Sequence, residues 1–167
     1  MENKELRTEL LAMRKADQSL RLQWPDKHND PKWVERVKEL DHLHTTRMKQ
    51  IVEQNGWPTV SMVDKDGSEA AWLLVQHADH DLEFQLTCLD LMGKKANDVD
   101  PINIAYLTDR TLVSRGKPQI YGTQFYRPSG KGKHIPQPIQ DPELVDERRA
   151  ELGLHTLKEY SQVINRE

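Results

Sequence analysis

Several polar side chains stand at positions where helical periodicity calls for apolar ones. His77 is the central example, because it falls in a long apolar pattern with Asp81 one turn later and Gln85 two turns later. A neighbouring carboxylate fixes an imidazole in one tautomer, and imidazoles exchange protons near neutral pH, which suits a general acid or base. We therefore predict that His77 is the centre of a catalytic pocket.

The same anomaly recurs in the other predicted helices. Asp17 lies in the apolar stripe of the first helix with Arg21 one turn on, His44 lies in that of the second, and Asp109 in that of the fourth. An unpaired ionised group in an apolar interior costs many kcal/mol, so these residues must pair, shift their pKa or line a hydrated cavity. One buried histidine is usually a hydrogen-bonded core residue. Polar residues on four helices favour a functional pocket instead.

The helices that would position these residues follow from apolar spacing, capping residues and prolines. The first runs from Lys4 to about Leu22 and ends at Trp24-Pro25, and the second covers 31–54. We expect 59–63 to be a short strand or extended piece. A third helix is predicted over 70–91, with Ser68 as its N-cap and Gly93 at its end.

The C-terminal part repeats these signals. Pro101 opens a fourth helix that ends near Gly116, a fifth covers 141–153, and Thr156 caps a last one. A short extended segment or hairpin is expected at 119–126, followed by a loop at 128–138 that is a candidate lid. The predicted fold is mainly α, a compact bundle of about five to six helices with a short hairpin near the C-terminal third.

We treat 1–167 as a single domain, made of a helical pair (1–55), a central part that carries the motifs (56–126), and a loop with C-terminal helices (127–167). Lys+Arg 24 against Asp+Glu 27 argues against nucleic-acid binding. A single cysteine, a charged N-terminus and the lack of a long apolar run predict a reduced, cytoplasmic protein with no membrane association.

Four segments carry a resemblance: 56–59 (GWPT), 72–79 (WLLVQHAD), 105–110 (AYLTDR) and 119–124 (QIYGTQ). Together they resemble a bacterial family catalogued as domain of unknown function 6624. The family has no assigned chemistry, so the resemblance implies grouping rather than mechanism. It implies that the typical positions are His77, Asp109, Arg110, Gln119, Tyr121, Thr123 and Gln124.

Roles follow from side-chain type. Asp109 orients His77 or acts as a second acid or base, and Tyr121 donates a hydrogen bond to a developing oxyanion. The catalytic set is therefore His77, Asp109 and Tyr121. The remaining residues are assigned to substrate binding: Arg110, Gln119, Thr123, Gln124, Asp17, Arg21, His44, Asp81 and Gln85.

Alternatives stay open. His44 and His77 with a carboxylate of Asp17, Asp81 or Asp109 would suit zinc or non-haem iron. The chain has no strong metal-ligand motif, so we expect no cofactor and keep a divalent metal as the weaker reading. Cys88 is a further candidate nucleophile, with nothing basic beside it in sequence.

The sequence predicts a small enzyme of unassigned reaction that uses acid/base chemistry without a cofactor. Hydrolysis, cyclisation or isomerisation of a polar small molecule or peptide would all fit a His77-centred pocket. The alternative is a non-catalytic binding module whose buried polar network is structural. The oligomeric state is left open.

Overall fold

Helices dominate the structure, a computed structural model that describes residues 3–23, 30–128 and 132–166. The chain forms two compact units, Met1–Asp100 and Pro101–Glu167. The mainly α prediction is confirmed, and the described residues hold seven α-helices. They are α1 (Lys4–Arg21), α2 (Pro31–Asn55), α3 (Val60–Gln76), α4 (Leu82–Gly93), α5 (Pro101–Ser114), α6 (Val145–Glu151) and α7 (Leu157–Ile164). The organisation of 1–167 as a single domain stays a prediction.

The first two helices of unit 1 begin at the predicted residues, Lys4 and Pro31. The Asn3 side chain accepts a hydrogen bond from the Leu6 amide at α1, and Asp30 accepts one from the Lys32 amide at α2. Each cap satisfies one of the amides that a helix leaves unpaired at its N-terminus. The predicted end of helix one at Trp24-Pro25 lies outside the described residues.

Apolar packing holds unit 1 together. α3 packs chiefly against α1, and the fully buried side chains include Leu10, Met48, Ile51 and Leu74. Trp33 packs in the same core and donates a hydrogen bond from its indole to the carbonyl of Leu20, over 3.1 Å. The apolar stripes of the sequence therefore face the interior as expected.

The prediction of a strand or extended piece at 59–63 is wrong. Thr59 is the N-cap of α3, whose first turn is kinked off the rest of the helix at Val63 and Asp64. Asp98 explains the helical start, because its carboxylate accepts hydrogen bonds from both the amide and the hydroxyl of Ser61. This tertiary cap overrides the β propensity of the local residues.

The predicted third helix over 70–91 is two helices. α3 ends at Gln76, and α4 starts after Asp81, whose side chain accepts a hydrogen bond from the Phe84 amide. Gln85 stabilises the break, since its Nε2 donates to the carbonyl oxygens of Val75 and Gln76. Asp81 and Gln85 thus satisfy backbone groups that a continuous helix would have paired internally.

The predicted N-cap of that helix is also wrong, whereas its predicted end at Gly93 is confirmed. Ser68 lies inside α3, where it is buried, rather than at an N-cap. Gly93 is the last residue of α4, and the capping residue after it is Lys94, which keeps right-handed helical geometry.

Unit 2 begins with α5, as predicted, and Gly116 follows it with a φ of 67°. The short hairpin is confirmed: β1 (Phe125–Tyr126) pairs antiparallel with β2 (Ile135–Pro136). The candidate lid at 128–138 therefore contains a strand, and its residues 129–131 lie outside the described ones. The fifth predicted helix consists of a 3-10 turn (Pro142–Leu144) and α6, while Thr156 forms a capping box at α7.

Within the described ranges, none of the helices combines the length and the apolar character that a membrane crossing requires.

Candidate functional site

A histidine–aspartate pair joins two helices of unit 1. The Nδ1 atom of His77 lies 2.9 Å from Oδ1 of Asp17. His77 is the capping residue at the end of α3, and Asp17 lies in the last part of α1. The Asp17 side chain is 1% exposed, whereas that of His77 is 19% exposed. The carboxylate is therefore buried behind an imidazole that reaches the surface.

The surroundings of Asp17 fix the tautomer of the imidazole. Burial raises the pKa of Asp17, but the hydrogen bond and charge of His77, with the hydrogen bonds of Gln18 and Arg21, lower it to about 2. An ionised carboxylate only accepts hydrogen bonds, so the proton between the two residues belongs to Nδ1. A neutral His77 ring then carries a lone pair on Nε2. No hydrogen bond within the described part of the chain uses that atom.

Arg21 connects this pair to α2. Its Nε donates to the same Asp17 Oδ1 over 3.0 Å, and its Nη2 donates to Oδ1 of Asp41. Burial raises the pKa of Asp41 above its ordinary value, although the Arg21 charge and hydrogen bond act in the opposite direction. Burial lowers the pKa of Arg21, but Asp17 and Asp41 together raise it. We call Asp17, Arg21, Asp41, His44 and His77 the polar cluster.

His44 belongs to this cluster by its electrostatics. It is 6% exposed, and its buried Nδ1 has no hydrogen-bond partner among the described residues. Burial lowers the pKa of His44 most strongly, and its charge interactions are with the other four members of the polar cluster. The ring is therefore neutral near pH 7. The predicted inward positions of Asp17, His44 and Asp109 are all confirmed as buried.

Asp81 and Gln85 do not share a helical face with His77, and that prediction is wrong because the helix breaks between them. Asp81 caps α4 and forms an ion pair with Lys49, whose hydrogen bond lowers the pKa of Asp81. Gln85 is fully buried at the α3–α4 break. Both side chains thus make structural hydrogen bonds, and the partner of His77 is Asp17.

Asp109 is the centre of a second network, in unit 2. It is fully buried on α5, and its two carboxylate oxygens accept hydrogen bonds from the loop that follows the helix. The donors are the amides of Ile120, Tyr121 and Thr123, together with the Thr123 hydroxyl, at 2.7–3.2 Å. Asp109 therefore anchors the 119–124 loop.

Amide side chains complete this loop. Gln119 donates from Nε2 to the carbonyls of Gln124 and Gln137, and its Oε1 accepts from the Gln124 amide. The Gln124 side chain donates to the Thr123 hydroxyl and accepts a 3.4 Å hydrogen bond from Arg110. The catalytic and substrate-binding roles of these unit 2 residues stay predictions.

The chain matches one family model over residues 4–166, described as "Family of unknown function (DUF6624)". It belongs to that family. The resemblance carried by the four segments is thus confirmed, and the family description assigns no chemistry to this DUF6624 chain. No curated protein and no solved structure is significantly similar to it.

The structure brings together a different set of potential metal ligands from the set that the sequence predicts. Among the described residues, one group has metal-ligand geometry: potential ligand atoms of Asp17, Asp41 and His77 lie within 4.8 Å of one another. Two carboxylates and an imidazole can hold a divalent metal. In this DUF6624 chain, however, Arg21 already donates to both carboxylates, so a metal would have to displace a guanidinium.

The structure disfavours Cys88 as a nucleophile. Cys88 is fully buried, and burial with the nearby Asp81 charge raises the pKa of its thiol to about 12. The thiolate is the reactive form of cysteine, and almost none is present near neutral pH.

Two functional neighbours were missed by sequence reasoning. Asp41 is not among the predicted site residues, although its position three residues before the inward His44 could have identified it. Arg149 in unit 2 is 1% exposed and donates to the carbonyls of Tyr121 and His155. No local pattern marks Arg149, because its acceptors are backbone atoms.

Proposed function

We propose that this chain is a small enzyme that uses His77 for general acid/base catalysis without a cofactor. The observation that carries the proposal is the 2.9 Å pair of a buried Asp17 carboxylate with a partly exposed His77 ring. The substrate class is a polar small molecule or peptide, as expected from the sequence.

The pair supports proton transfer in both directions. Nε2 of the neutral ring takes a proton from the substrate, and Asp17 stabilises the imidazolium that forms. The same Nε2–H then returns the proton to a leaving or rearranging atom. Hydrolysis, cyclisation and isomerisation all need this exchange, and a positioned acid/base group contributes about 10²–10⁴-fold to such reactions.

The hydrogen bonds of Asp17 also favour a second candidate, a non-catalytic binding module. Its carboxylate is satisfied by Gln18, Arg21 and His77, so the network by itself ties α1 to α2 and α3. In that case His77 would serve stability alone.

The first experiment determines the tautomer of the His77 ring. Nitrogen-15 spectra of the histidine side chains, with His77 assigned from a His77→Gln sample, should show the proton on Nδ1 and a bare Nε2 near neutral pH. The opposite tautomer contradicts a base at Nε2.

The second experiment examines turnover. A pool of esters, amides, lactams and peptides is incubated with the wild type, His77→Gln and His80→Gln, and products are followed by mass spectrometry. His80 is an exposed control in the same turn. We expect an activity that falls about 10²–10⁴-fold in His77→Gln and persists in His80→Gln. An activity that survives in folded His77→Gln contradicts the catalytic role of His77, whereas the absence of turnover with every compound of the pool favours the binding module.

A further inference from the structure

The polar cluster of unit 1 carries one unbalanced negative charge. Asp17 and Asp41 are two carboxylates and Arg21 is one guanidinium, while burial lowers the pKa of the His44 ring. The formal charge of the two carboxylates and the guanidinium together is therefore one negative charge in a partly buried place, where electrostatic interactions are stronger than in water. A cation would neutralise the cluster, whereas an anion would add to its charge.

Hydrogen-bonding capacity points in the same direction. Arg21 uses the N–H of Nε for Asp17 and one N–H of Nη2 for Asp41, which leaves both N–H groups of Nη1 and one of Nη2. Asp41 accepts through Oδ1, and no hydrogen bond to its Oδ2 occurs among the described residues. With Nε2 of His77, two acceptors therefore remain without a hydrogen bond among the described residues, beside three N–H groups of Arg21. A ligand that carries several N–H donors matches this set.

The distance between the Asp41 carboxylate and the His77 ring suits a single nitrogen. A carboxylate oxygen of Asp41 and a ring nitrogen of His77 lie within 4.8 Å of each other. A donor nitrogen placed about 2.9 Å from each of two acceptors can bridge such a gap.

His44 is an independent indication of a missing hydrogen-bond partner. Its side chain is only 6% exposed, and its Nδ1 has no partner among the described residues although buried polar atoms are nearly always hydrogen-bonded. Its electrostatic neighbours are the other members of the polar cluster. A neutral imidazole can accept a hydrogen bond at Nδ1, so it adds a further acceptor.

We propose that the polar cluster binds a cationic nitrogen group of the substrate, an ammonium or amidinium, between Asp41 and His77. This inference rests on the proposed function and specifies its substrate class. Asp41 is the binding residue, since its carboxylate holds the cation. His77 then acts on the bound cation, because its Nε2 takes the proton as the N–H bond breaks. The nitrogen is left neutral with a lone pair.

Burial raises the pKa of Asp41 although the charge and hydrogen bond of Arg21 act in the opposite direction. A bound cation beside Asp41 would lower that pKa again.

The test compares four small probes on the wild-type full chain, followed by the side-chain spectra of His77 and the Asp41 amide. Methylammonium and acetamidinium chloride supply the cation, acetamide is the neutral isostere of acetamidinium, and sodium acetate is the anion. At constant ionic strength, we expect saturable shifts with both cations at millimolar concentration and none with acetamide or acetate. Shifts produced by acetate or acetamide but not by the cations overturn the proposal.

Variants locate the site. Asp41→Asn should weaken cation binding at least about ten-fold, which is about 1.4 kcal/mol. Glu39→Gln, an exposed acid two residues away on α2, removes the same charge and should leave binding unchanged. Equal binding in folded Asp41→Asn overturns the proposal. If Asp41→Asn does not fold, the comparison of acetamidinium with acetamide on the wild type decides.

Two further arms separate the possible outcomes. If zinc chloride shifts the same signals at micromolar concentration and prevents methylammonium from binding, the polar cluster is a metal site. That result overturns the proposal of a nitrogen cation. Cation binding is measured without turnover, so it can succeed while the His77→Gln activity test fails. The two proposals are therefore refuted by different results.

Discussion

Replacing Asp109 by asparagine tests how the 119–124 loop of unit 2 is held. Asparagine has nearly the same shape, but it exchanges one acceptor oxygen for an NH2 group. Oδ1 of Asp109 accepts from the amides of Ile120 and Tyr121, at 2.7 and 3.1 Å. Oδ2 accepts from the amide and hydroxyl of Thr123, at 3.0 and 2.9 Å. In either orientation of the new amide, its NH2 group faces at least one backbone N–H.

The less costly orientation places the NH2 group at Oδ2. The Thr123 hydroxyl can then turn to accept a hydrogen bond, but the Thr123 amide is left without a partner in a fully buried place. An unsatisfied buried donor costs about 1–3 kcal/mol, and the bonds that remain lose their charge assistance. We expect Asp109→Asn to lower the free energy of unfolding by about 3 kcal/mol, a large part of the roughly 5–15 kcal/mol typical of a domain.

Chemical denaturation followed by circular dichroism measures this loss, and amide hydrogen exchange locates it. Under conditions where the variant is folded, exchange of the Thr123 amide should accelerate about 100-fold, which corresponds to about 3 kcal/mol. Glu147→Gln, an exposed acid on α6, is the control and should change stability by less than about 0.5 kcal/mol. An Asp109→Asn variant as stable as the wild type, with unchanged exchange at Thr123, would refute the anchoring role.

Two further predictions concern acid stability and the loop glycine. The pKa of Asp17 is about 2 in the folded chain against an ordinary 3.8, so its ionised form contributes about 2 kcal/mol above pH 3.8, and this is lost as pH falls towards 2. The difference in unfolding free energy between wild type and Asp17→Asn should therefore shrink by about 2 kcal/mol from pH 5 to pH 2 in acid titrations; a constant difference contradicts the assignment. Gly122 and Gly116 both have a φ of 67°, but an added Cβ would lie 2.8 Å from Leu157 Cδ1 at Gly122 and would meet nothing within 4 Å at Gly116. In thermal unfolding, Gly116→Ala should lower the free energy of unfolding by about 1 kcal/mol, and Gly122→Ala should lower it by about 1 kcal/mol more. Equal losses would mean that the Leu157 side chain moves aside without cost.

Local rules account for what was predicted correctly. Capping at Thr156 depends on residues within one turn, so the sequence alone identifies it. The burial of Asp17, His44 and Asp109 also follows from local periodicity, because a side chain in an apolar stripe is carried inward with its neighbours.

The break between α3 and α4 illustrates a limit of periodicity. His77, Asp81 and Gln85 fit one helical face, yet α3 ends at Gln76. An aspartate can lie on the solvated face of a helix or cap the N-terminus of the next one. Which of the two occurs depends on the hydrogen-bond partners that the surrounding backbone groups find. Gln85 supplies that pairing across the break, which no spacing rule predicts.

The amino-acid sequence by itself determined which polar side chains of this protein lie in apolar surroundings, since burial within a helix is set by spacing along one element. Only the tertiary structure decided which of them meet. His77 is paired with Asp17, sixty residues away, and Arg21 brings in Asp41 from a third helix. Such pairing depends on how helices approach one another in space, and a carboxylate accepts any donor that packing brings within reach.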